Sequence, residues 1–231
     1  MCYSVKTSII SYILGIIAGI FALSTRQITL GILILTYSQM QLAELLIWFG
    51  IDTDNDNLNR SGTSYGKYLL AIHNIAIGIG IILSIIYVSK EKLKFTDFIP
   101  LIVGILFFLY VLFYYYLPQN YPDITLPLDP NCVDKSNRCQ NPDNRLNWTW
   151  PHGWYLYSFI ISLIILIFFI KPLNLKIWLI LIFGLTFIYF NVFNNQVVGS
   201  LWCFSAAILA PLIVLISYFI IKDMNSKDIL C

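Results

Sequence analysis

Charge is what this 231-residue chain has least of: 14 Lys and Arg, 12 Asp and Glu, together only 11% of the residues. A soluble domain carries about 25% charged residues, so an ordinary water-facing surface is excluded. With only two histidines, no HExxH and no CxxC, the common zinc arrangements are excluded as well. Neither a P-loop nor a G-x-G-x-x-G or G-x-S-x-G motif occurs, which removes the usual signatures of phosphate, dinucleotide and serine-hydrolase sites. No catalytic residue set, metal site or cofactor is expected, and no nucleic-acid partner. The last apolar run has no lysine, so a retinal Schiff base is ruled out.

Apolar residues are plentiful instead, at 58%, with 16% aromatic. A chain of this size has too little interior to hide so many Ile, Leu, Phe and Tyr side chains, so lipid must solvate part of the surface. Near-continuous apolar runs cover residues 7–23, 28–49, 68–88, 98–117, 154–170, 177–193 and 201–221. Each is close to the length that crosses a bilayer core as a helix. Period-2 alternation, the mark of a membrane β-barrel, is absent. The expected fold is all-α: a polytopic seven-helix transmembrane bundle forming a single transmembrane domain over residues 1–231. The first run lacks a small-residue cleavage site and is read as an uncleaved helix. Pro100 suits the start of the fourth helix, whereas Pro211 should kink the seventh.

Seven spans put the termini on opposite sides. Basic residues near helix ends (Arg26, Lys90, Lys92, Lys94, Lys171, Lys176, Lys222 and Lys227) gather on one side. The positive-inside rule then sets the N-terminus outside and the C-terminus in the cytosol. That topology makes residues 118–153 an extracellular or lumenal link, where Cys132 and Cys139 could close a disulfide. The Asn59-Arg60-Ser61 and Asn147-Trp148-Thr149 triplets, both N-glycosylation patterns, fall on the same side. Trp48, Trp148, Trp150, Trp154 and Trp202 suit an aromatic belt there.

Polar residues inside the apolar runs are the best pointers to a site. Glu44 lies about 9 Å along the second helix from its outer end at Gly50. Facing lipid, its carboxylate would cost several kcal/mol (about 2.5–3.5 on insertion scales), so it should turn toward the bundle interior. Tyr37, Gln41, Glu44 and Trp48 recur at helical spacing and share one face. His73 and Asn74 sit near the start of a third helix beginning at Tyr68, at the depth of Glu44, so a Glu44–His73 pair is geometrically accessible. Gln196, in the charge-free turn between the sixth and seventh runs, could close the same pocket. The candidate ligand-binding set is therefore Gln41, Glu44, His73, Asn74 and Gln196. A satisfied interhelical hydrogen bond is the structural alternative for the same residues.

The opening Met1-Cys2-Tyr3-Ser4 with Ser8, the set Gln39, Gln41, Glu44 and Trp48, the pair His73-Asn74, and the late Gly199-Ser200-Leu201-Trp202-Cys203 form a pattern along nearly the whole chain. It resembles an uncharacterised family of seven-helix membrane proteins from large DNA viruses and some single-celled eukaryotes. The resemblance implies a multi-pass location in a host endomembrane, plasma membrane or virion membrane, and assigns no catalytic role. From the residues, the leading functional expectation is binding or movement of a small solute, lipid or proton through an outward-facing polar cavity. The alternatives are a structural or interaction protein of a host or virion membrane and an intramembrane lipid-modifying enzyme. Membrane lipids are the expected partners, with a small solute or another membrane protein beside them.

Overall fold

A computed structural model describes residues 5–116, 124–127, 146–147 and 209–219, together with positions 164, 168 and 184. Among these, α1 spans Val5–Ser24, α2 Ile28–Asp52, α3 Asp56–Ser84 and α4 Ile99–Val111. A further apolar helix, α5, covers Leu209–Phe219. Two short strands, β1 (Leu126–Pro127) and β2 (Leu146–Asn147), pair antiparallel with Leu126 opposite Asn147.

The chain is a multi-pass α-helical integral membrane protein. Among the described residues, four stretches are long and apolar enough to cross a bilayer: Val5–Ser24, Ile28–Asp52, Ala71–Ser89 and Phe95–Tyr114. This corrects the expected seven-helix bundle, and with it the orientation derived from seven spans. The expected runs at 154–170 and 177–193 lie outside the described residues apart from single positions. In the last run the described residues 209–219 are helical and contain Pro211. Apolarity over 17 residues measures a preference for lipid and does not by itself fix a spanning helix.

Sharp reversals set the hairpins. Between α1 and α2, Arg26 adopts a left-handed φ of 62°, and the Gln27 N–H donates back to the Ala22 carbonyl over 2.8 Å. Between α2 and α3, Asp54 does the same at φ 58°. Asn55 then caps α3, its side-chain oxygen accepting from the N–H groups of Asn57 and Leu58. That cap, with Asp56 in the first turn where the helix dipole favours a carboxylate, starts α3 twelve residues before Tyr68. Its 29 residues extend about 43 Å, so the first four turns precede the apolar stretch Ala71–Ser89 and pair with the C-terminal half of α2.

Small residues bring the helices together, as in other membrane bundles, because close backbone approach supplies the packing that the hydrophobic effect cannot supply in lipid. Gly15 of α1 lies against Ser38 of α2, Gly62 of α3 against the Ala43 carbonyl, and Gly104 of α4 against the Asn74 backbone. The Thr29 hydroxyl of α2 donates to the Gly80 carbonyl over 3.0 Å. These pairs run in opposite directions along each neighbour, so α1 to α4 form an up-and-down series. Outward faces such as Ile13, Ile17 and Ile20 of α1 and Leu106 of α4 are exposed and meet lipid. α5 buries Ala210, Ile213, Val214 and Ser217, one stripe at helical spacing. It docks at the Arg26 end, where the Gln27 amide donates to the Val214 carbonyl and Phe21 packs on Tyr218.

At the opposite end Asn59 clamps the segment leading into β1. Its amide Nδ2 donates to the Thr125 carbonyl over 2.9 Å while its Oδ1 accepts the Thr125 N–H over 3.0 Å. The Thr63 hydroxyl donates to the same Oδ1, so the 2.8 Å contact between the Thr63 and Thr125 hydroxyls has Thr125 as donor. The side-chain amide thus pairs with a backbone residue as a neighbouring strand would, and all three residues are buried. A glycan on Nδ2 would displace this clamp, so the Asn59 triplet is expected to stay unmodified, with no mobility shift on enzymatic deglycosylation in Asn147→Gln protein. Asn59→Asp removes the donor and sets an oxygen against the Thr125 carbonyl. Such loss leaves buried groups unsatisfied at about 1–3 kcal/mol each. A lowered unfolding temperature and faster proteolysis near Thr125 are expected.

The expected Cys132–Cys139 disulfide is not retained: among the described residues no cysteine pair lies at bonding distance. Both cysteines lie outside the described residues. A spacing of seven permits a bridge, but the bond also needs Cβ atoms about 3.8 Å apart, and spacing alone does not supply that.

Candidate functional site

Gln41, Glu44, His73 and Asn74 are all fully buried, at 0% exposure. On α2, Tyr37 and Trp48 continue the line at 4% and 3%, so the whole face that carries Glu44 is turned away from lipid. Trp48 is therefore no headgroup anchor; its indole nitrogen is enclosed, with no hydrogen-bond partner among the described residues.

His73 takes a position different from the expected one. Its Nε2 lies 3.1 Å from the Thr36 carbonyl. A carbonyl can only accept, so Nε2 is the donor in this contact. The ring packs on Tyr37 with centroids 4.3 Å apart. Thr36 precedes Glu44 by eight residues, about 12 Å along α2, so the two ionisable groups sit at different depths. The reason is the true start of α3. Counted from Asp56, His73 is about 26 Å into the helix, which carries it past Glu44 in the antiparallel hairpin.

At Glu44's own level α3 presents Thr63 and Lys67, because Gly62 packs against Ala43 and Ile47. Asn59, Thr63, Lys67 and Asn74 are all buried and recur at intervals of four, four and seven, one face of α3. A second polar stripe thus accompanies the α2 stripe over about 22 Å. The Asn55 cap was the sequence signal for it, since extending α3 back to residue 56 puts Asn59, Thr63 and Lys67 on the face of Asn74. Gln39 sits on another face, accepting from the Tyr65 hydroxyl over 3.1 Å and donating to the Leu35 carbonyl. Burial raises the Tyr65 phenol above its ordinary range, with nearby Tyr12 adding to the shift.

No family model, curated protein or solved structure matches this chain. The site therefore rests on its own chemistry. Gln196 lies outside the described residues. No group of three His, Cys, Asp or Glu side chains among the described residues could hold a metal ion. What α2 and α3 offer is a column of carboxylate, carboxamide, hydroxyl, ammonium and imidazole groups inside a membrane bundle. Such a column can exchange hydrogen bonds with a polar guest or pass a proton between neighbours.

Proposed function

We propose that this protein binds or moves a small polar solute or a proton along the polar column of α2 and α3. The observation that carries the reading is Glu44: a carboxylate fully buried on a membrane-spanning helix. Ionisable groups within membrane spans are expensive and mark substrate, ion or proton paths far more often than packing positions. Gln41 one turn away, and Thr63 and Lys67 at the same level of α3, supply donors and acceptors around it. Tyr37, His73 and Asn74 continue the column toward the Arg26 end.

Binding is tested by the thermal unfolding of purified protein against a panel of small cations, amines, amino acids and sugars, each at several pH values. One class is expected to raise the unfolding temperature of the wild type and not of Glu44→Gln. A charge-assisted hydrogen bond contributes about 1.5–3 kcal/mol, so the variant should lose roughly tenfold or more in affinity. Equal shifts in both proteins would remove Glu44 from the site.

A further inference from the structure

We propose that the segment joining α3 to α4 is a docking surface for anionic phospholipid headgroups. The span Ala71–Ser89 ends just before it and the span Phe95–Tyr114 begins just after it. Only residues 90–94 lie between, too few to leave the headgroup layer, and three of the five are lysines: Lys90, Lys92 and Lys94. Every residue from 86 to 96 is exposed.

The flanks carry the complementary half of the recognition. Tyr87 is 66% and Phe95 79% exposed, and amphipathic or aromatic rings at the edges of a span rest at the interface between acyl chains and headgroups. Ammonium groups held between two such rings are set at the depth of lipid phosphates. The three lysines outnumber the two acids nearby. The Asp97 carboxylate accepts the Lys94 N–H over 2.7 Å, which holds it in the turn that starts α4, and Glu91 is the other acid in the segment. Arg26, exposed in the α1–α2 reversal, adds positive charge at the same end of the bundle. At the opposite end the exposed Lys6 and Arg60 are outnumbered by Asp52, Asp54 and Asp56 around the α2–α3 reversal. Charge complementarity thus selects anionic lipid at the Arg26 end.

The test uses the full chain reconstituted in nanodiscs of phosphatidylcholine with a minority of phosphatidylglycerol, then extracted in mild detergent, with the retained lipid quantified per protein. Wild type is expected to retain phosphatidylglycerol above its share of the bilayer. Each lysine near an anionic surface contributes roughly a fivefold preference at low salt. The triple variant Lys90→Gln, Lys92→Gln, Lys94→Gln should lose that enrichment, and the corresponding triple Arg variant should keep it. Salt near 1 M, where the Debye length falls to about 3 Å, should abolish the wild-type enrichment. Because the lysines are exposed, the Gln variant is expected to elute as wild type does on size exclusion, which separates lipid loss from misfolding. Equal phosphatidylglycerol retention by wild type and the Gln variant, or enrichment that survives high salt, would overturn the proposal.

Discussion

Gly104→Leu is expected to eliminate most folded protein, with the variant aggregating on extraction. A Cβ at this position would stand 2.7 Å from the carbonyl carbon and oxygen of Asn74 and from the Ile75 nitrogen. Those are backbone atoms in the middle of α3 and cannot swing aside as a side-chain tip can. Gly78 makes the reciprocal approach, since a Cβ added there would meet the Leu101 backbone, so the two glycines together set the α3–α4 distance. Overpacking costs about 1–3 kcal/mol in cores that can adjust. Here α4 would have to move bodily, so the upper end or more is expected, and Gly104→Ala should already lower the unfolding temperature. Gly184→Ala is the control, since a Cβ there meets nothing within 4 Å among the described residues. Size-exclusion profiles and thermal unfolding of the three variants decide the point. A Gly104→Leu protein as stable as wild type would mean that α3 and α4 do not approach as described.

Glu44 carries the second large effect, and here stability and function should separate. Replacing a whole buried polar pair by apolar groups is often neutral or stabilising, whereas removing one member leaves the other unsatisfied. Glu44→Leu is therefore expected to lower the unfolding free energy by about 1–3 kcal/mol while losing solute binding or proton movement. Glu44→Gln keeps shape and most hydrogen bonds but loses charge and the exchangeable proton, so it should also fold and also fail in function. A residue whose role is packing behaves in the opposite way: its replacement lowers the unfolding temperature and leaves activity per folded molecule unchanged. His73 fits that second pattern better, because its bond to the Thr36 carbonyl and its packing on Tyr37 are both interhelical contacts.

Much of this was legible before any coordinates. The class of the protein followed from the scarcity of charge and the length of the apolar runs. The face of α2 that carries Tyr37, Gln41, Glu44 and Trp48 could be read from spacing alone, because helical periodicity needs no tertiary information. The depth of His73 could not be read in that way. The polar stretch from Asp56 to Lys67 looks like a loop to hydropathy, which measures only preference for lipid, yet the Asn55 cap makes it four turns of helix. Moving that one boundary shifts the α2–α3 register, separates His73 from Glu44 and brings Thr63 and Lys67 to Glu44's level. The clamp made by Asn59 could not be read for a related reason: a glycosylation pattern describes local sequence, whereas the bond to Thr125 joins residues 66 apart in the chain. Span number is not legible in the same way, because an apolar run does not by itself establish a spanning helix; four of the expected runs are spans among the described residues.

The most direct measurement is proton and solute flux in sealed liposomes containing wild-type protein or Glu44→Gln, with an imposed pH gradient and a pH-sensitive dye trapped inside. Wild type is expected to dissipate the gradient faster than protein-free liposomes, either alone or on addition of the solute identified by thermal unfolding. Glu44→Gln, incorporated to the same level and equally folded, is expected to match the protein-free rate. Flux in folded Glu44→Gln equal to that of wild type would contradict the central claim and leave the buried carboxylate a packing residue.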